Sequence, residues 1–224
     1  DPSDEATSVC PEHVDFHTNL GDGKDRIKLA LAIPDYREMD AEERQVLTKL
    51  IEAARHSNIE IVEVPIKAVE TYYRIISSTE IQQDFDRFLT KYGNGKTPGT
   101  FKDLVKMYEM RAQHHPYGMD RLTGALAFSP DLDNPVYTNA LQKGIGNSTE
   151  AIDHVLSQSN AQAILCVGFI PWWAVGRAPY VALPLAQRAN HAMIGITVGA
   201  RRLEDRKVVD IAARLEKVIK QMPQ

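Results

Sequence analysis

The sequence contains only two cysteines and no apolar run long enough to cross a membrane as a helix. Its longest apolar stretches, near 161–170 and 179–186, fall short of the roughly 20 residues that a spanning helix needs. Lysine plus arginine number 26 against 30 acidic residues, so the net charge is -4 and no nucleic-acid partner is indicated. The short apolar stretches exclude a membrane helix, and the low cysteine count excludes a disulfide scaffold. The composition is that of a globular chain.

Familiar catalytic motifs are also missing. There is no G-x-S-x-G turn, no P-loop, no G-x-G-x-x-G and no Gly-Gly dipeptide. The only adjacent serines, Ser77 and Ser78, fall inside a predicted helix over 68–92. There they are expected to face solvent or to bond carbonyl groups of the preceding turn. We therefore predict no catalytic residue in this chain and no cofactor.

Histidine and aspartate clusters do not form a metal motif. His13 and His17 are four residues apart, but no third ligand is evident and neighbouring prolines and glycines disfavour a helix. His114 and His115 precede Pro116 at a predicted helix end, where a cation suits the dipole. The segment 131–134 lacks the glycine and glutamate of a calcium loop and is predicted to be a turn.

Three weak signals concern the cellular compartment. The chain begins at Asp1 without a methionine, so a natural terminus there would imply upstream processing. Asn147 begins an N-glycosylation sequon, and Gly144 and Gly146 predict an exposed break just before it in a helix over 135–158. A helix interior would instead make Asn147 unreachable. The third signal is the small number of cysteines, only two, and together the three slightly favour a secreted protein.

Hydrophobic periodicity predicts one α/β domain over 27–224, preceded by a polar arm over 1–26. The segment 27–33 alternates as a strand, and 59–64 forms a second strand. Between them Asp40 and Glu43 form a capping box at the start of a helix. Strand, helix and strand with short links predict a parallel βαβ unit.

The rest of the chain is predicted to be mostly helical up to residue 158 and mixed thereafter. A loop is expected over 116–135. The other predicted elements are helices over 68–92, 101–115, 135–158 and 203–222, and strands over 163–167, 180–185 and 193–198.

An aromatic pair stands out at the end of the apolar strand 163–167. Trp172 and Trp173 follow Pro171 there, and ligands of open α/β sheets bind just beyond strand carboxyl ends. The pair is therefore either part of a pocket wall or part of the core.

Several stretches, in order along nearly the whole chain, resemble amidase-signature hydrolases. The matching segments are DPSDEAT (1–7), LALAIPD (29–35), IEIVEVPI (59–66), TYYRIISSTEIQQDFDRF (71–88), LDNPVYTNAL (132–141), AQAILCVGFIPWW (161–173), APYVALPLA (178–186) and IGITVGARRLEDRKVVDIAARLE (194–216). The resemblance covers the C-terminal half of the family's chain. It implies a mixed β-sheet flanked by helices.

The family's Ser-Ser-Lys triad lies upstream of the first matching segment, so the resemblance implies a second chain that carries the N-terminal half. This chain would then supply pocket wall for a small amide substrate. The residues expected in that wall are Phe169, Ile170, Trp172 and Trp173. The resemblance also places Cys166 on a central strand, buried and free, and leaves Cys10 able to pair with the missing chain.

Departures from the family pattern keep two alternatives open. Val167 and Gly168 stand where relatives have Pro-Thr, and Ala186 replaces a glycine. The link 174–177 is shorter than the family's loop. An inactive amidase-like binding or storage protein is the first alternative, and the amidase subunit of a tRNA-dependent amidotransferase is the second.

Overall fold

A computed structural model of the chain describes residues 9, 14–16, 18–95, 98–111 and 118–222. Half of the predicted arm lies outside these residues, as do Cys10, His13, His17, His114 and His115. The chain divides into two compact units, 1–69 with 146–224 and 70–145. We call them the sheet unit and the helical unit. The prediction of a single domain over 27–224 stays a prediction.

The sheet unit contains one five-stranded sheet in the order β2-β1-β3-β5-β4. β1 pairs in parallel with β2 and with β3, whereas β5 pairs antiparallel with β3 and with β4. The mixed sheet and its parallel βαβ start are therefore confirmed. The strands are β1 (Ile27–Pro34), β2 (Ile59–Ile66), β3 (Ala163–Val167), β4 (Tyr180–Gln187) and β5 (Met193–Gly199).

Seven helices lie within the described ranges, and none of them is long and apolar enough to cross a membrane. They are α1 (Ala41–Arg55), α2 (Tyr73–Tyr92), α3 (Phe101–Glu109), α4 (Asp120–Ala125), α5 (Pro135–Ser159), α6 (Trp172–Val175) and α7 (Asp205–Gln221).

Helix α1 begins with the predicted capping box. The Asp40 side chain accepts the Glu43 N–H at 2.9 Å, and the Glu43 side chain accepts the Asp40 N–H at 3.2 Å. Glu43 is buried and also pairs with Arg37 at 2.6 Å and Arg188 at 2.9 Å. Two guanidinium groups thus compensate the buried carboxylate, which would otherwise be costly.

Alternate residues of the sheet supply two apolar layers. On one face, Leu29 and Leu165 pack in a core with residues of α1 and α7. On the opposite face, Ala30 and Ile164 pack with residues of α5 and with Trp173. This period-two division follows from strand geometry and confirms the sheet flanked by helices.

Three local predictions are wrong. Helix α2 begins at Tyr73 and not at 68, because Tyr72 adopts a left-handed backbone with φ 53°. Ser78 is buried and does not face solvent. The predicted loop over 116–135 contains α4.

Helix α5 continues without interruption through Gly144 and Gly146, so the predicted break is also wrong. Each glycine costs a helix about 1 kcal/mol relative to alanine. Burial of Ile152, Val155 and Leu156 against the sheet offsets that cost. Asn147 therefore lies inside a continuous helix, a placement that disfavours glycosylation, which itself stays a prediction.

The last part of the predicted arm lies along α7. The Gly21 N–H donates to Asp210 at 2.8 Å, and Arg214 donates to the Asp25 carbonyl at 2.7 Å. Gly21 has φ +72°, and a Cβ there would lie 2.9 Å from the Cβ of Ala213. Only glycine fits this close approach of the chain to the helix.

Candidate functional site

The chain leaves β3 through a turn at Gly168, whose φ is +74°. The Gly168 N–H donates to the Gly195 carbonyl at 2.9 Å. Its own carbonyl accepts the Thr197 hydroxyl and the Cys166 thiol. These bonds hold the turn against the end of β3 and direct the following segment back across the sheet.

An aromatic cluster of Phe169, Trp173 and Tyr180 covers part of the sheet beyond this turn. Trp173 stacks on Tyr180 at 5.9 Å between centroids with 26° between planes, and Phe169 lies 5.6 Å from the Tyr180 ring. Trp173 is fully buried, whereas Phe169 is 46% and Tyr180 is 44% exposed. The cluster therefore has a buried base and an exposed rim.

The four residues predicted to form pocket wall fall into two groups. Ile170, Trp172 and Trp173 are buried. Phe169 alone is broadly exposed. Trp173 fits over Gly199, where a Cβ would lie 2.1 Å from its Nε1. Their contact with substrate stays a prediction.

Tyr180 extends the cluster onto β4, and the sequence reasoning missed it as a site residue. The only available signal was its position at the start of a strand, which does not reveal its ring partners. Within the described residues β4 pairs only with β5, so its other edge is open. Tyr180, Ala182 and Pro184 are exposed and alternate along the strand. We call these three residues with Phe169 the apolar edge.

Trp172 lines a different cavity of about 710 Å³. Polar residues of α5 at helical spacing form one of its sides, and the segment that follows β2 contributes Lys67. Sequence reasoning missed this stripe, although its spacing of three to four residues was visible. The α5 residues that line the cavity are Asn147, Glu150, Ala151, His154, Val155 and Gln158.

Cys166 is not a nucleophile in this fold. It lies buried and free on β3, as predicted. Burial is the main reason that the pKa of its thiol is raised to about 12, so the reactive thiolate is negligible at neutral pH. A nucleophilic role therefore has no support at this position.

No group of three or more metal-ligating side chains occurs in the part of the chain that the structure describes. The segment 131–134 forms the predicted turn, in which Asp131 accepts the N–H of Asp133 at 2.9 Å. Asn134 accepts the Val136 N–H at the start of α5. These carboxylate and amide groups thus cap local backbone.

Comparison with known proteins gives matches among solved structures only. No protein-family model matches the chain, and no curated protein matches it. The native peptide amidase of Stenotrophomonas maltophilia matches with a TM-score of 0.73 and 17% identity over 100% of this chain and 50% of its own. An amidase family protein from Bacillus anthracis str. Ames matches with a TM-score of 0.75 and 14% identity over 95% of this chain and 42% of its own.

A third match names the fold family directly. A bacterial aryl acylamidase of the amidase-signature enzymes matches with a TM-score of 0.53 and 12% identity, over 94% of this chain and 49% of its own. This chain thus spans about half the length of the structures it matches. Their coverage agrees with the sequence resemblance to the C-terminal half, and the chain has the fold of amidase-signature proteins over about half of their length.

Proposed function

We propose that this chain is the C-terminal half of an amide hydrolase, and that a complementary N-terminal half supplies the nucleophile and the base. The supporting observation is the coverage, because the match takes in 95% to 100% of this chain but only 42% to 50% of the matched amidases. The absence of a nucleophile motif from the sequence agrees with this division of roles.

The apolar edge supports the same proposal. An open strand edge with exposed apolar side chains invites pairing with another chain, and soluble proteins normally cover it. Tyr180 and Phe169 are each nearly half exposed on this edge. A complementary half that continues the sheet at β4 would bury both rings and satisfy the open backbone groups.

In the proposed enzyme this chain shapes the pocket and performs no bond chemistry. Phe169 would contact the substrate or the complementary half. Trp173 would hold Tyr180 in position by ring packing, and Tyr180 would in turn hold Phe169. Ile170 and Trp172 would support the segment from beneath. The substrate class proposed is a small amide.

A serine-directed fluorophosphonate probe tests the proposal on the protein isolated from its source. We expect labelling on sequence outside these 224 residues, together with amide hydrolysis that the probe abolishes. Intact mass analysis distinguishes a separate second polypeptide from one longer chain. A folded complex that is neither labelled nor active would overturn the enzyme proposal in favour of an amidase-like binding or storage protein.

A matched pair of variants tests the apolar edge. Tyr180→Lys places a charge on it and should abolish association with the complementary half. Tyr92→Lys is the control, because Tyr92 is 63% exposed on the helical unit and outside the proposed interface. Equal association of both variants, measured by co-purification, would contradict the role of the edge.

A further inference from the structure

The helical unit contains a cavity of about 800 Å³ beside the first turn of α2. Residues of α2 and α4 line it, and both helices belong to the helical unit, residues 70–145. Neither the sequence resemblance nor the proposed hydrolysis assigns a role to this cavity. Its lining therefore has to be interpreted from its own chemistry.

Two arginines line the cavity. Arg74 lies on the first turn of α2, and Arg121 lies on α4. Neither forms an ion pair or hydrogen bond with any described residue. Nη2 of Arg74 lies 3.4 Å from the place that a Cβ on Gly124 would occupy, so the guanidinium rests against α4. Both guanidinium groups are available to an anion.

The N-terminus of α2 contributes further donors. This 20-residue helix has no acidic residue in its first turn and no side-chain cap. The Tyr72 N–H donates to Glu70, and the Tyr73 N–H donates to the Thr71 hydroxyl. The N–H of Ile75 finds no acceptor among the described residues. The positive end of the helix dipole therefore faces the cavity.

A mostly buried serine adds a donor to the cavity lining. Ser78 lines the same cavity and is only 8% exposed. Its hydroxyl makes no hydrogen bond with the residues that the structure describes. This hydroxyl can therefore donate a hydrogen bond to a ligand oxygen in the cavity.

Two carboxylates on the lining narrow the choice of anion. Glu70 and Asp120 both line the cavity, and the Glu70 carboxylate already accepts the Tyr72 N–H. They offset part of the attraction of the two arginines and repel a dianion more strongly than a monoanion. This difference favours a carboxylate over a phosphate.

We propose that this cavity binds a small molecule that carries one carboxylate and an apolar body. The carboxylate lies between Arg74, Arg121 and the Ser78 hydroxyl. The apolar body lies against Ile75 and Leu122, which line the same cavity. The proposal concerns binding and is independent of the proposed amide hydrolysis.

Isothermal titration calorimetry on the full chain tests this binding proposal with three probes that all carry a phenyl ring. These are N-acetyl-phenylalanine, its neutral amide, and phenyl phosphate. We expect N-acetyl-phenylalanine to bind about tenfold more tightly than the neutral amide, and more tightly than phenyl phosphate. Equal binding of acid and amide, or no binding of the acid, would overturn the proposal. Tighter binding of phenyl phosphate would overturn the choice of carboxylate.

Variants then locate the binding site. Arg74→Gln and Arg121→Gln should each weaken binding of N-acetyl-phenylalanine about tenfold, and Arg121→Lys should weaken it less because the charge remains. Arg87→Gln is the control, since Arg87 lies on the same helix and pairs with Asp84 on the surface. Thermal melting shows that each variant is folded. An unchanged affinity in both glutamine variants would contradict the site.

Discussion

The sheet unit and the helical unit are stabilised in different ways. The sheet unit has two extensive apolar layers, one on each face of the sheet. In the described part of the helical unit, Phe101, Val105 and Ala125 form a small buried cluster. The unit adds a polar connection, because the Gln82 amide donates to carbonyl groups of Ala125 and Phe128. Apolar burial thus dominates one unit, and specific hydrogen bonds carry more of the other.

The largest expected effect is the removal of apolar volume from the sheet unit. Leu165 is fully buried on β3, which lies between β1 and β5. Leu165→Ala should therefore lower the free energy of unfolding by about 2–5 kcal/mol. Leu203→Ala is the control, because Leu203 is 47% exposed. Urea denaturation measures both. If the Leu165 variant lost less than about 1 kcal/mol of unfolding free energy, the sheet unit would not depend on apolar burial as described.

The next effect concerns the hydrogen bonds of the helical unit. Gln82→Met keeps the side-chain length but removes the amide that donates to the carbonyls of Ala125 and Phe128. We expect a loss of about 1–3 kcal/mol. Gln83→Met is the control, since the Gln83 side chain only accepts an exposed bond from Arg87.

Hydrogen exchange shows where the Gln82 substitution acts. Faster exchange confined to α4 and the adjoining turn is the expected result, because local opening follows lost local contacts. Equal loss of protection throughout the sheet unit would mean that the two units do not differ in the way described.

Two glycines of the sheet unit test the contribution of backbone conformation to its stability. A Cβ at either Gly168 or Gly146 would meet nothing within 4 Å, so only the backbone conformation differs. Gly168→Ala should destabilise by about 1 kcal/mol, because φ of +74° is strained for alanine. Gly146→Ala should stabilise by about 0.5–1 kcal/mol, because alanine favours the helix. Changes of the same sign in thermal melts would contradict the argument.

The smallest effect is a pH dependence at Cys166. Burial raises the pKa of this thiol from 9.0 to about 12 in the folded chain. The folded state therefore holds its proton more tightly than the unfolded state. The contribution to stability is complete below pH 9 and is lost as the pH rises through about 12.

Alkylation tests the burial of the Cys166 thiol in a Cys10→Ser variant, where Cys166 is the remaining thiol. Cys166 should resist iodoacetamide at pH 8 and react once urea unfolds the chain. Rapid modification of the folded chain would show that the sheet layer around β3 opens easily.

Much of the fold follows from local sequence signals. The alternation in 27–33, the capping box at Asp40 and the apolar run 163–167 each predict an element that the structure contains. These signals are readable because strand alternation, helix capping and helical periodicity act over only a few neighbouring residues.

Tertiary packing decided the rest. The sequence left Trp172 and Trp173 between pocket wall and core, and only the layer formed with α5 buries both. Tyr180 joins the aromatic cluster because the turn at Gly168 returns the chain to β4, which no local pattern reveals. The glycines of α5 locally favour a break, yet burial of its apolar face keeps the helix continuous. Burial depends on contacts between residues far apart in the chain, and these become visible only when the strands and helices are assembled.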